Sequence, residues 1–245
     1  RRYLDRIGSA RPDQVQGNRK GMSMEPTELV QLVGEYRGTL PPGQWVVSTK
    51  IDGWRAAWFR GIDDKPRLWT RGGMPFEGVR HIAARCLAME EAAGEPLFID
   101  GEFQVSGTLL ATKAWCERAW KLGGCNGTFY AFDCLPYREW RAGGSDEPWL
   151  ERQKRLHGLV DATASLPMEP GWASGATGEP VPVDYVQALP GEYVQSHAGV
   201  VRAVTEIWEA GGEGAVIKRL DSPYRRSRSS DWLKVKQQQK WRNAA

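Results

Sequence analysis

The stretch from Trp45 to Phe59 reads as a strand, a tight Asp52-Gly53 turn and a second strand rich in Trp and Ala. This hairpin carries Lys50-Ile51-Asp52-Gly53-Trp54-Arg55, and four more short motifs follow it in order. They are Asp100-Gly101-Glu102, Tyr130-Ala131-Phe132-Asp133, Glu213-Gly214-Ala215-Val216 and Trp232-Leu233-Lys234-Val235-Lys236. Each lies on or beside a run that reads as a strand. A fold for this chain must therefore gather polar side chains from strands spread over most of its length.

Between the motifs the periodicity alternates. Pro26 to Tyr36 has helical spacing, with Glu28, Leu29, Leu32 and Val33 in step, and Pro41-Pro42-Gly43 ends it. Arg67 to Arg71 predicts a short strand, His81 to Ala93 an amphipathic helix and Leu97 to Val105 a strand. Ala111 to Leu122 predicts a second helix, with Trp115 and Trp120 near one face, and Thr128 to Leu135 another strand. Glu151 to Leu159 reads as helix, and Pro167 to Pro190, rich in Pro and Gly, as a long surface excursion. Val200 to Ala210 is a helix closed by Gly211-Gly212, followed by strands at Ala215 to Arg219 and Trp232 to Lys236. Strands and helices are interspersed without a βαβ repeat, which predicts an α+β fold. The expected division is a basic N-terminal arm over 1–22, a single domain over 23–240 and a short tail over 241–245.

With 245 residues the chain is long enough to bury a substantial core. It contains no apolar run long enough to cross a membrane and no secretory signal near its start. Cys86, Cys116, Cys125 and Cys134 form no Cys-x-x-Cys pair and have no histidines at zinc-ligand spacing, which predicts free thiols in a reducing, cytoplasmic compartment. His81, His157 and His197 are scattered and receive no role. The net charge of +3 is uneven: residues 218–245 carry +7 and residues 1–20 carry +4, leaving −8 on the remainder. A basic C-terminal stretch on an acidic body fits a polyanionic partner, although a solvated tail has the same composition.

The motif residues point to phosphorus chemistry. Lys50 is the candidate nucleophile, but an ordinary lysine, with a pKa of about 10.4, is neutral only about once in a thousand molecules near pH 7.5. Nearby cations, a metal or burial must disfavour its ammonium form. Lys234 and Lys236, two apart on one strand face with Leu233 and Val235 on the other, supply positive charge and grip a phosphate. Glu102 and Glu213 are carboxylates suited to a ribose or to Mg²⁺, the second beside glycines that let a ligand approach the backbone. Phe132, alternating with Tyr130, offers a ring to a purine. Alone, each motif has an ordinary reading as a turn, a surface strand or core. The ordered set, spaced by 50 residues from Lys50 to Asp100, 113 to Glu213 and 21 to Lys234, does not.

That set resembles the covalent nucleotidyltransferase superfamily and, within it, the small ATP-dependent DNA ligases of phage and bacteria. The resemblance covers about residues 45–236. It implies two antiparallel sheets flanked by helices, with the nucleotide held between them. It implies Lys50 as the adenylated lysine and Arg55 and Arg71 as ribose or phosphate contacts. Glu102 then binds the ribose or a metal, Phe132 stacks on the base, Glu213 joins the metal site, and Lys234 and Lys236 hold the α-phosphate. ATP, Mg²⁺ and nicked duplex DNA are the implied cofactors and partner, and a monomer is expected. Arg225, Arg226 and Arg228 read either as a DNA contact or as a solvated loop, with DNA the favoured reading.

Two positions depart from the pattern. Many ligases carry a glutamate two residues before the nucleophile to read the adenine amino group, and Ser48 stands there. Only nine residues follow Lys236, too few for the family's oligonucleotide-binding barrel. The expectation is therefore the adenylation domain of a larger ligase, or a stand-alone form of it. The 49 residues before Lys50 do not match the nicotinamide-binding module of NAD-dependent ligases. RNA ligases and GTP-using capping enzymes are the alternatives within the superfamily. A non-catalytic nicked-DNA-binding module is the alternative outside it, against which stands the filling of every expected catalytic position.

Overall fold

The computed structural model describes residues 29–117, 127–164 and 185–236. The elements begin with β1 (Leu32–Glu35), β2 (Trp45–Thr49), β3 (Trp54–Arg60), β4 (Pro66–Thr70), α1 (Arg80–Ala93) and β5 (Leu97–Gln104). Next come α2 (Leu109–Glu117), β6 (Thr128–Pro136), α3 (Tyr137–Arg141), β7 (Gly144–Ser145), α4 (Trp149–Thr163) and β8 (Val186–Ala188). The described chain closes with β9 (Glu192–Val194), α5 (His197–Glu209), β10 (Gly214–Arg219), β11 (Tyr224–Arg225) and β12 (Arg228–Lys236).

Two five-stranded sheets dominate, in the orders β1-β12-β10-β2-β9 and β4-β3-β5-β6-β8, and neither closes into a barrel. Their central pairs are antiparallel, as expected, but β1 pairs parallel to β12 and β8 parallel to β6. The alternation of side chains along the strands sorts the core into three layers. Ala56, Trp58, Ile99, Phe129 and Ala131 face outward from the second sheet onto α1, α2 and α4. Val47, Ala215, Ile217, Leu233 and Val235 face outward from the first sheet onto Val200, Ala203 and Val204 of α5. Val46, Ala57, Phe59, Phe98, Leu135 and Trp232 fill the space between the sheets. The central layer is rich in rings, with Phe98 and Trp140 stacked at 5.0 Å.

Helix ends follow local chemistry. Gly94 adopts the left-handed conformation that closes α1, and its N–H donates to the Glu91 carbonyl. Ser196 caps α5 by accepting from the Gly199 N–H at 3.2 Å.

The segment expected to be helical over Pro26–Tyr36 is instead extended where it is described. β1 lies at the edge of the first sheet, with Leu32 N–H donating to Ser227 O and Tyr36 N–H to Lys234 O. Leu29, Val30 and Gln31 are buried on entry to it. The apolar residues Leu29, Leu32 and Val33 at helical spacing also satisfy a short extended segment, and pairing with β12 decides between them. The predicted surface excursion over Pro167 to Pro190 ends in β8, whose Val186 is fully buried. Most of that excursion, the N-terminal arm, the C-terminal tail, Trp120 and the end of the second predicted helix lie outside the described residues. The short elements α3, β7, β9 and β11 carried no usable periodicity.

A buried ion pair fastens α4 to the second sheet. Arg152 meets Asp133 twice, Nε to Oδ1 at 2.7 Å and Nη2 to Oδ2 at 2.9 Å, and both residues are fully buried. Its Nη1 also donates to the carbonyls of Glu147 and Ser222. Arg152→Leu leaves Asp133 buried beside an apolar group, and unfolding by urea should show a loss of about 3–5 kcal/mol. Arg152→Leu with Asp133→Leu should recover most of that loss.

Candidate active site

The cleft lies between the two sheets. Ser48, Val216, Lys218, Trp232 and Lys234 line it from the first sheet, and Arg55, Glu102 and Phe132 from the second. Lys50 stands at its mouth, just past the end of β2, where its backbone N–H donates to Gly214 O at 2.8 Å. The strand pattern explains the division of labour. On β10, Ala215 and Ile217 point into the core while Val216 and Lys218 point into the cleft. On β12, Leu233 and Val235 do the same opposite Trp232 and Lys234.

The link between Lys50 and β3 is held tightly. Asp52 accepts the Leu109 N–H at 3.1 Å on Oδ2, and its carbonyl accepts from Gln104 Nε2 at 3.1 Å. A Cβ on Gly53 would lie 2.5 Å from Phe103 O and 2.9 Å from Glu102 Cγ, so only glycine lets the turn pass so close to β5.

Charge is organised around carboxylates. Glu213 pairs with Lys50 through one oxygen and stands 3.5 Å from Lys236 Nζ through the other. Lys234 Nζ lies 3.5 Å from Glu35 on the neighbouring β1. Deeper in, Arg55 forms a two-point pair with buried Asp100, Nε to Oδ1 at 2.8 Å and Nη2 to Oδ2 at 2.6 Å. Asp100 also accepts from Tyr224 Oη at 2.6 Å, and Tyr224 Oη accepts the Gln31 N–H at 3.0 Å. Burial alone would lower the Arg55 pKa; Asp100 more than offsets this and keeps the guanidinium charged. Glu102 has the opposite fate. Burial pushes its carboxyl up to about 7, against the pull of Arg55 and Lys50 and with the help of Asp100 and Glu213.

Of the residues expected at the site, Lys50, Arg55, Glu102, Phe132 and Lys234 line one cleft, and Glu213 and Lys236 join it through ion pairs. Arg71 stands exposed at the rim, its N–H bonded to Arg55 O at 3.3 Å. The three arginines of the 225–228 segment have separate surroundings. Arg225 pairs with Asp146, Arg226 lies over the Trp140 ring at 4.4 Å, and Arg228 donates to Val33 O.

A family model described as "ATP dependent DNA ligase domain" matches residues 29–236. The chain belongs to that family. It is 27% identical to the multifunctional non-homologous end joining protein LigD of Pseudomonas aeruginosa, over 96% of this chain and 26% of the relative. In fold it is similar to Pmar-Lig_PreS3, with a TM-score of 0.68 and 20% identity, over 84% of this chain and 46% of that one. It is also similar to the ATP-dependent DNA ligase of bacteriophage T7 in complex with ATP, with a TM-score of 0.60 and 15% identity, over 86% and 69% of the two chains. The ligase domain thus spans about a quarter of the LigD relative.

Sequence reasoning missed Lys218, two residues beyond the motif that begins at Glu213. Its signal was a lysine in phase with Val216 directly after the apolar run Ala215-Val216-Ile217. In this ligase domain Lys218 is buried, with its ammonium 4.5 Å from the Phe132 and Trp232 ring centroids and 5.4 Å from that of Trp149. It donates to Phe132 O at 3.2 Å. Burial pulls its pKa from 10.5 down to about 7, against the attraction of Asp133 and Asp100. Between these two values the unfolded chain binds a proton that the folded chain does not, so stability rises with pH across that window. Denaturant unfolding at about pH 7 and about pH 9.5 should show the wild type gaining on Lys218→Met by on the order of 2–3 kcal/mol. Equal differences at the two pH values would mean that Lys218 keeps one protonation state throughout.

Proposed function

We propose that this domain takes AMP from ATP onto Lys50 and, as part of a DNA ligase, delivers it to the 5′-phosphate at a break in duplex DNA. The observation that carries this reading is the Glu213 carboxylate shared between Lys50 and Lys236 at the mouth of the cleft. It joins the one candidate nucleophile to a phosphate-binding lysine. The ε-nitrogen of Lys50 attacks the α-phosphorus, a P–N bond forms, and the bond to the bridging oxygen breaks with pyrophosphate leaving. Glu213, already paired with Lys50, is the nearest acceptor for the ammonium proton. Lys234 and Lys236 exchange their carboxylate partners for phosphate oxygens. Arg55 holds the ribose or a phosphate, Arg71 supports it from the rim, and Phe132 lies against the base. The 3′-OH at the break then displaces AMP from the adenylated 5′-phosphate.

Two carboxylates, Glu102 and Glu213, act on each other electrostatically across the cleft. Such a pair, completed by triphosphate oxygens and waters, suits Mg²⁺, which is commonly held by one or two carboxylates plus substrate phosphates. When bound, the ion would neutralise phosphate charge during transfer. Arg225, Arg226 and Arg228 would meet the DNA backbone by exchanging their internal partners for phosphates, without reading sequence.

Intact mass after incubation with Mg²⁺ and ATP should rise by one AMP, and Lys50→Ala should show no such gain. A GMP adduct from GTP, in place of AMP, would move the reading to capping chemistry. Glu102→Gln should gain the adduct more slowly than the wild type and need a higher Mg²⁺ concentration to reach its maximal rate.

A further inference from the structure

Glu35 is a carboxylate at the mouth of the cleft to which the transfer proposed above gives no task. Its Oε1 lies 3.5 Å from Lys234 Nζ, and among the described residues neither side chain has another ion-pair partner. The backbone fixes this meeting. Val33 on β1 faces Ser229 on β12, but Gly34 already faces Leu233 and Glu35 faces Lys234. Without that slip Gly34 would face Ser230 and Glu35 would face Asp231, a like charge. The slip gives it a lysine instead. A Cβ on Gly34 would stand 3.2 Å from Leu233 Cδ2 and 3.4 Å from Ser229 O, so a small residue lets β1 close on β12 here. One residue on, the Tyr36 N–H donates to Lys234 O at 3.1 Å, and the Tyr36 side chain is buried. The Glu35 side chain is itself 58% exposed, so packing of the core does not call for it.

We infer that Glu35 is a built-in competitor for Lys234, which holds the lysine while the cleft is empty, must be displaced by phosphate, and so weakens the grip on ATP. This rests on the nucleotide-transfer reading above. Lys234 without a counter-ion would hold a phosphate more tightly, both on arrival as ATP and on departure as AMP. A carboxylate waiting 3.5 Å away keeps that hold exchangeable. Because the pair is partly exposed, it is weak, and the competition it offers is a moderate one. The position of Glu35 therefore sets nucleotide affinity and leaves the chemical step to other residues.

The test follows AMP mass gain with time over a range of ATP concentrations in Mg²⁺, using the full chain as wild type, Glu35→Gln and Glu35→Asp. Glu35→Gln keeps the shape and removes the charge. It should lower the KM for ATP about fivefold at low salt. The change should lie in KM, with kcat within about twofold, because a competitor for the empty cleft alters binding and not transfer. Added salt should shrink the gain, since exposed charges are screened. Glu35→Asp keeps the charge and should stay near the wild type, which separates the loss of charge from a fault in folding. Binding of α,β-methylene ATP, which cannot transfer AMP, completes a double-mutant cycle. In a Lys234→Met background, Glu35→Gln should gain nothing further, because the competition has lost its object. A KM for Glu35→Gln equal to or above that of the wild type would overturn the inference. So would an equal gain with and without Lys234, which would make Glu35 a general negative charge near the cleft. Absence of an AMP adduct in the wild type would overturn the transfer reading instead, and the analogue cycle then decides the competition on its own.

Discussion

A knot of buried charge between the two sheets sets the geometry of this cleft. Arg55 reaches from β3 to Asp100 on β5, Asp100 accepts from Tyr224 on β11, and Tyr224 accepts from the backbone beside β1. Arg55 also donates to Gln31 O at 3.1 Å, and the Gln31 side chain accepts the Arg225 N–H at 2.6 Å. Lys218 crosses the other way, from the first sheet to the carbonyl of Phe132 on the second. Buried ions fix a single arrangement because every alternative leaves a charge without a partner. These polar bridges and the rings packed between the sheets together set the width of the cleft. Phe132 feels this directly: the Arg55 guanidinium lies 4.7 Å from its ring centroid and Lys218 donates to its carbonyl, so both ring and backbone are held.

The mouth of the cleft follows a different principle. Lys50, Lys234 and Lys236 each face a carboxylate, but these pairs are partly exposed and their members are on flexible stems. Exposed pairs contribute little stability, typically about 0–1 kcal/mol each, so their exchange for phosphate oxygens is easy. The register of β1 on β12 places Glu35 beside Lys234, across an irregularity between Val33 and Gly34. The carboxylates thus stand in for the anion and keep cations of like charge from repelling one another. Rigid charge below and exchangeable charge above suit the triphosphate binding and pyrophosphate release proposed above.

Most of this was legible in the sequence because strands announce their faces. Lys234 and Lys236 had to share a face opposite Leu233 and Val235. The failures have a common cause. Leu29 to Glu35 fitted a helix by spacing, yet its backbone bonds go to β12, a strand some two hundred residues away, and no local pattern records that pairing. Asp100 was expected on a strand, as β5 has it, but was given no role of its own, whereas it lies beside a bulge and anchors Arg55. Lys218 was passed over because a lysine on a strand normally reaches water. Only the three rings and two sheets around it, contributed by Phe132, Trp149 and Trp232, keep it buried.

The loop that carries Lys50 joins these two regimes. Asp52 and Gly53 are immobilised, one by its bond to the start of α2 and the other by its close approach to β5. Lys50 itself has only its backbone fixed, through Gly214 O, while its side chain is partly exposed and held by a replaceable partner. In the reaction proposed above, Lys50 meets ATP, carries AMP and presents it to a second phosphate, which calls for a fixed origin and a free-swinging tip. A lysine just past a strand end, followed three residues later by a glycine in close contact with β5, satisfies both demands with few residues. The Asp52 contact also ties this origin to α2, so any displacement of α2 would be felt two residues from Lys50.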